Sequence, residues 1–286
     1  VDEGVILMSI VVETESLKWL LSLMQRKQTI DGKSITQVHS LSLKTEGSRL
    51  VGCTRVKDGV TSLMRLSIPC SGEGEFVLTD IEAALGVLKY HGGALHLTPS
   101  EDKVKFKSSG KQTTLAANKE ARAFPHTPET IAIWTEKSHS LAEKIDANNM
   151  QYKTNDGQCL DVVVCLSDIS TTTLYEAFRC DSMNGQKFNK YTMDYTGGEL
   201  TITVGDELKG KTTTQINNIV HTYVDLPEHD APDIKATYNG GLEYIFHHLN
   251  SDVNIGVWDF THVGAGYPML ITLGDGDFIF QASNEA

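Results

Sequence analysis

The sequence predicts an α+β fold in which short helices cover one face of antiparallel sheets. Three observations carry that prediction. A β-α-β-β-β pattern recurs four times along the 286 residues, as a likeness of layout without visible residue identity. The helical stretches are only roughly two to three turns long, too short for crossovers in a large parallel sheet. The strand stretches come in hairpins, separated by turn signals such as Thr45-Glu46-Gly47, Lys57-Asp58-Gly59 and Gly197-Gly198.

The first copy opens with a strand over Val5–Val12, rich in β-branched residues. Thr14 or Glu15 then starts a helix. Leu17, Leu20, Leu21 and Met24 form its apolar stripe, with Lys18, Gln25 and Arg26 off it. Strands follow over Ile35–Leu43, Arg49–Val56 and Thr61–Ile68. The second copy contains FVLTDIEAALGVLKYHGGALHLTPSEDKVKF, residues Phe76–Phe106, and runs to about Leu115. Phe76–Leu78 ends a strand, and Thr79 or Asp80 caps a helix with Ile81, Ala84, Leu85 and Leu88 on one face. Gly92-Gly93 stops it. Leu95 and Leu97 alternate as a strand, Pro99–Asp102 turns, and Val104 and Phe106 alternate as the next.

Residues 118–157 break the pattern, with two prolines in NKEARAFPHTPE, a lone strand expected at Ile131–Trp134 and a helical turn at Leu141–Ile145. They read as an interdomain connector with some structure of its own. The domains are therefore expected at 1–117 and 158–286. The third copy begins with a strand over Gln158–Leu166 and a helix capped by Asp168 or Ser170 that runs to about Cys180. Its further strands fall at 189–195, 199–204 and 211–216. The fourth has strand candidates at Ile219–Val224 and Ile234–Tyr238. A helix follows with Leu242, Ile245, Phe246 and Leu249 on one side, then strands at Val253–Trp258, Met269–Leu273 and Asp277–Gln281.

Hydrophobic residues make up 40% and charged residues 22%, ordinary for a globular chain with real cores. No apolar run is long enough for a membrane helix, and the N-terminal stretch lacks signal-peptide features. Cys53, Cys70, Cys159, Cys165 and Cys180 are odd in number and widely spaced. They fit a reducing intracellular compartment better than a disulfide framework or a zinc site, and Cys165 in VVVCL reads as a small buried hydrophobe. The net charge of −12 excludes a protein that coats nucleic acid with a uniformly basic surface, though a local basic stripe remains compatible.

No enzyme constellation is present: no Gly-x-Gly-x-x-Gly, no Walker lysine loop and no His-Glu-x-x-His. TLGDGDF at 272–278 lacks the spacing and terminal Glu of a calcium loop and reads as a hairpin turn. His247-His248 reads as a helix-surface pair rather than a metal site. Asp225, Glu228, His229, Asp230 and Asp233 form an acidic loop with no assigned role. No catalytic residue, metal or cofactor is expected.

Three stretches carry a resemblance: ETESLKWLLSLMQ, the Phe76–Phe106 stretch, and YNGGLEYIFHHLNSDVNIGVWDF followed by YPMLITLGDGDFIFQAS. The chain resembles the two-domain DNA sliding clamps, the PCNA-like ring-shaped polymerase processivity factors of eukaryotes, archaea and some large phages. Pro268-Met269-Leu270-Ile271 matches the family's Pro-led strand. Phe278-Ile279-Phe280-Gln281-Ala282-Ser283 matches its C-terminal strand, with Ser in place of the usual Pro. The likeness covers nearly the whole chain, which is somewhat longer than the usual two-domain clamp, with the excess in 118–157 and 182–235.

The resemblance implies two domains of two β-α-β-β-β units each, with helices on the inner face. It also implies a homotrimeric ring around double-stranded DNA, met without sequence preference, at replicating DNA inside a cell. It implies partnership with a DNA polymerase and a clamp loader through short peptide motifs, no membrane partner and no enzymatic activity. The DNA-facing candidates are Lys18, Arg26, Lys27, Lys89, Arg179, Lys187 and Lys190. The partner-peptide pocket implied by the resemblance involves Ile131, Trp134, Pro268, Met269, Leu270, Phe278 and Ile279. The alternative is a clamp-like, non-ring processivity factor or protein-binding scaffold that holds DNA on one face.

Overall fold

A computed structural model of the chain describes residues 9–25, 27–30, 33–36, 38–57, 61–100, 103–116, 137–183, 190–206, 210–217, 220–222, 233–239, 242–249 and 251–283. The chain divides into two compact units. The first comprises Val1–Gln25, Thr36–Thr54 and Arg65–Ser140, and the second Arg26–Ile35, Arg55–Met64 and Leu141–Ala286. The sheets are antiparallel throughout the described pairings, and the helices are short, as the sequence predicts.

In the first unit, helix α1 (Thr14–Met24) follows directly from strand Ile10–Glu13. Glu13 occupies the N-cap position without a side-chain cap bond. Thr14 instead anchors the helix start, donating to the Gly93 carbonyl from its backbone N–H at 3.0 Å and from Oγ1 at 2.7 Å. Leu17, Leu20, Leu21 and Met24 are fully buried, as the helical spacing predicts, and Leu23 joins them. Helix α2 (Ile81–Leu88) is capped by Asp80, whose Oδ1 accepts from the Ala83 N–H at 2.8 Å. Ile81, Ala84 and Leu88 are buried, while Leu85 is only half-buried. Gly93 then turns the chain at a φ of +64°.

A four-stranded sheet runs in the order Ile10–Glu13, Ala94–Pro99, Lys103–Ser108, Lys111–Ala116. Elsewhere in this unit Leu41–Glu46 pairs with both Arg49–Lys57 and Glu75–Leu78. The strand expected over Ile35–Leu43 is broken in two. Lys33–Thr36 pairs with Lys27–Ile30, whereas 38–40 leaves the strand conformation before Leu41. The reason lies in the backbone bonds: the Val38 N–H donates to the Gln25 carbonyl at the end of α1, and the His39 carbonyl accepts from Ile81 at the start of α2. At Gly72, with φ +86°, an added Cβ would lie 1.9 Å from the Ser9 carbonyl oxygen. This close approach accompanies the Val11–Ser71 bridge.

The second unit repeats the plan. A four-stranded sheet runs in the order Gly210–Ile216, Glu199–Asp206, Lys190–Thr196, Ile234–Asn239. Helices α3 (Thr171–Met183) and α4 (Glu243–His247) pack on one of its faces through aromatic rings. Phe178 of α3 stacks on Phe246 of α4 at 5.6 Å and meets Tyr191 edge-on at 4.7 Å, and Tyr191 stacks on Tyr238 at 5.5 Å. Five strands of a second, larger sheet run in the order Val220–Thr222, Val164–Ile169, Val253–Val257, Met269–Gly274, Asp277–Gln281. The hairpin predicted at TLGDGDF forms, with Asp275 and Gly276 at φ of +53° and +76°.

Several local expectations are corrected here. The strand over Gln158–Leu166 splits into Cys159–Asp161, which joins a small sheet with Gln151–Lys153 and Ile145–Asp146, and Val164–Ile169, which joins the larger one. At the break the Val162 side chain packs against Gly256, where an added Cβ would lie 2.7 Å from Val162 Cγ1. The helical turn expected over Leu141–Ile145 lies at 137–142, and Ile145 already belongs to a strand. In α4 only five residues are helical, although Leu242, Ile245 and Phe246 are buried as predicted. Cys165 is half-buried rather than buried, with its Sγ 3.3 Å from Met150 Sδ.

Candidate nucleic-acid interface and docking strands

In each unit the helices lie over one face of a four-stranded sheet. In the first, the loop leaving α2 is tied to that face by His91. Its Nδ1 is 2.8 Å from Ser108 Oγ and its Nε2 3.1 Å from Thr113 Oγ1. Burial, reinforced by the Lys111 charge, lowers the His91 pKa below the usual histidine value. The folded state therefore favours the neutral ring, and the unfolded state takes up a proton first as pH falls. Stability from this group is present above about pH 6.5 and is lost as pH drops through the lowered folded value. His91→Gln is expected to flatten the dependence of thermal midpoint on pH as pH falls below about 6.5. An unchanged slope would show that other groups set it.

The expected basic candidates sit on these elements unevenly. Lys18 on α1 is paired with Glu15 of the same helix at 2.5 Å, which offsets its charge locally. Lys89 is exposed at the C-cap of α2, where a cation also complements the helix dipole. Arg179 on α3 bonds Glu176 at 3.1 Å and lies over the Tyr175 ring at 5.9 Å. Lys190 starts a strand whose next residue, Tyr191, faces α3. Alternation therefore places Lys190 on the sheet face away from the helices, apart from Arg179. Lys27 begins the strand Lys27–Ile30, and Arg26 and Lys187 lie outside the described residues.

Sequence reasoning missed the aromatic character of the α3–α4 surface. Tyr175 lies 4.9 Å from His247, Tyr244 lies 4.4 Å from His248, and the two histidines meet edge-on at 5.0 Å. Burial raises the Glu243 carboxyl above the usual range against the opposing pull of Arg179 and His247. No cluster of metal-ligating side chains occurs among the described residues. No described helix is long and apolar enough to cross a membrane.

The expected docking strands are packed more deeply than a peptide pocket requires. Met269, Leu270, Phe278 and Ile279 are each 2% exposed or less, and Pro268 is buried. Register puts Leu270 and Phe278 on the same sheet face as Phe280 and sets Met269 and Ile279 on the opposite one, so they do not form one contact surface. Around Phe280 lies a partly exposed aromatic group that the sequence reading did not single out. Phe260 and Phe280 flank buried Trp258 at 6.3 and 6.2 Å, and Tyr152 of the small sheet meets Phe260 edge-on at 6.1 Å. Ile131 and Trp134 lie outside the described residues.

Two-unit architecture, antiparallel sheets and one-sided helices define the fold of the DNA sliding clamps. Solved structures bear this out. The chain matches a putative DNA polymerase III beta subunit from Eubacterium rectale with a TM-score of 0.62 at 12% identity, over 96% of this chain and 64% of that one. It matches the Helicobacter pylori beta clamp bound to a DNA ligase peptide with a TM-score of 0.57 at 11% identity, over 98% and 67%. A PCNA2–PCNA3 complex from Sulfolobus tokodaii matches with a TM-score of 0.54 at 13% identity, over 96% of this chain and 98% of that chain. The chain thus spans about two thirds of the beta clamps' length and nearly all of the PCNA chain's. No protein-family model matches it, and no curated protein matches it in sequence.

Proposed function

We propose that the chain is a sliding clamp that encircles duplex DNA as a homotrimeric ring and tethers the replicative polymerase. It works by topology and positioning, without enzymatic activity of its own. It acts at replicating DNA inside the cell, where a clamp loader opens the ring. The domains divide at 1–117 and 158–286, with 118–157 between them.

The observation that carries this reading is a pair of open sheet edges on a clamp fold. Lys111–Ala116, KQTTLA, ends the four-stranded sheet of the first unit, and Gly210–Ile216, GKTTTQI, ends that of the second. Neither has a described strand on its outer side. An edge strand of this length is an association hazard unless something pairs with it. Head-to-tail pairing of one edge with the other, in a closing rotation, removes both of these edges.

Within the ring, α1–α4 face DNA, and Lys18, Lys89 and Arg179 supply a weak positive contact suited to sliding rather than grip. Arg26, Lys27 and Lys187 extend that contact, whereas Lys190, on the sheet face turned away from the helices, does not. Partner peptides dock by an aromatic or aliphatic anchor beside Tyr152, Phe260 and Phe280, on strands held in place by the buried side chains of Pro268, Met269, Leu270, Phe278 and Ile279. Ile131 and Trp134 complete the docking region.

Light scattering at several micromolar protein tests the assembly. A stable species near three times 31.4 kDa is expected. A strict monomer at all concentrations would exclude the preassembled ring and favour a non-ring factor that holds DNA on one face.

A further inference from the structure

The four-stranded sheet of the first unit has a second face. On strand Lys103–Ser108, Val104, Phe106 and Ser108 are buried while Lys103, Lys105 and Lys107 are exposed. His91 of the α2 loop bonds Ser108 and Thr113, so the buried face is the one the helices cover. The three lysines therefore project from the opposite face. Alternate residues on a strand are about 6.8 Å apart, so the charges form a straight row.

Strand register supplies the neighbours. Lys107 lies between His96 and Gln112, and Lys105 between Thr98 and Thr114. Val11 and Glu13 occupy the far strand of the same face, leaving Glu13 as the acidic side chain that register places there. Among the described residues, Lys105 and Lys107 make no ion pair, whereas Lys18, Lys44, Arg65, Arg179 and Lys235 each have one.

The fold does not require this row. The corresponding sheet face of the second unit is rich in threonine, and register spreads Lys190, Lys211 and Lys235 over three strands with Asp194 and Glu199 among them. Thr192 meets Thr237 at 3.2 Å, Thr203 meets Thr213 at 3.1 Å, and Lys235 is offset by Asp194 at 3.5 Å. The two sheets share one strand layout, yet only the first sets three lysines in a row along one strand, in a chain whose net charge is −12.

We propose that the Lys103–Lys105–Lys107 row is a docking surface for an acidic, extended peptide segment of a partner protein. Charge complementarity selects an anionic occupant. An extended peptide with carboxylates at alternate positions repeats at about the spacing of the lysines. The hydroxyls of Thr98 and Thr114, the Gln112 amide and His96 offer further polar contacts. The face is flat and carries neither an aromatic platform nor an arginine, the groups that single-stranded nucleic acid sites combine with basic charge. The surface stands on the first unit alone and does not depend on ring closure.

The test is fluorescence anisotropy with a labelled peptide of alternating Glu and Ser, and with labelled oligothymidylate of equal charge, at about 50 mM salt. Wild-type protein should bind the peptide and release it as salt rises. The Lys105→Glu/Lys107→Glu double variant, with both positions exposed and its melting point checked, should bind it roughly tenfold more weakly or worse. Lys235→Glu, a charge reversal on the other sheet, should bind as wild type does. No binding by wild type, or equal binding by the double variant, would overturn the proposal. An equal loss in Lys235→Glu would reduce it to net charge. Tighter binding of oligothymidylate, lost in the double variant, would assign the row to nucleic acid instead.

Discussion

Replacing Trp258 with alanine is expected to destabilise the second unit by about 3–5 kcal/mol. The indole is fully buried, and its Nε1–H donates to the Leu160 carbonyl at 3.0 Å. That bond joins the end of Val253–Val257 to the small sheet, while the ring packs between Phe260 and Phe280. The Trp258 backbone N–H also donates to the Pro268 carbonyl, so the residue sits where three segments converge. Truncation leaves a cavity of indole size and an orphaned carbonyl. Chemical denaturation should show a lower midpoint, and Trp258→Phe should recover much of the packing but not the hydrogen bond. A Trp258→Ala midpoint within error of wild type would mean that the site collapses freely around the smaller residue.

The second large effect concerns assembly rather than folding. Thr114→Pro is expected to abolish self-association while leaving each chain folded. Ser108 pairs with Lys111 across the turn that holds Gly110, so that pair exchanges hydrogen bonds. Bonded pairs then recur at Phe106–Thr113 and Val104–Leu115, and Gln112 and Thr114 turn their backbone groups outward. Proline at Thr114 removes an outward donor and leaves the internal ladder intact, which is the position an edge strand tolerates. Light scattering should show the mass fall to a single chain with little change in melting temperature. Persistence of the wild-type assembly would mean that this edge is not the contact between copies.

Much of the architecture follows from local rules that the sequence displays. Leu17, Leu20, Leu21 and Met24 recur at helical spacing because one side of α1 must be buried. Asp80 caps α2, and Gly93 turns the chain after it, because these are local events with local chemical requirements. The alternation of Val104 and Phe106 with lysines marks both faces of a strand before any partner is known. The hairpin at Asp275-Gly276 is equally local.

Other features depend on residues far apart in the chain. Nothing within VVVCL marks the break at Val162, whose side chain packs against a glycine, Gly256, that lies far away in the chain. The segment 38–40 leaves the strand because distant ends of α1 and α2 take its backbone bonds. A ribbon of Lys27–Ile30 and Lys33–Thr36 was marked by Asp31-Gly32 between β-branched residues, a hairpin signal that the longer apolar run after it obscured. The candidate sites divide in the same way. Lysines off an apolar stripe are legible from helical period, but whether Lys18 or Arg179 is neutralised by a neighbour depends on rotamers.

Pro268, Met269, Leu270, Phe278 and Ile279 stand out in sequence because they are apolar, and burial is the reason. The half-exposed group of Tyr152, Phe260 and Phe280 is assembled from separate loops and strands. By itself, then, the sequence determined the periodic elements, their caps and turns, and the sign of the charge on each exposed face, since these depend on neighbours within a few residues. Only the tertiary structure decided which apolar side chains are core and which are surface, and which cations stand without a counter-charge. Those properties depend on what long-range pairing brings within a few ångströms.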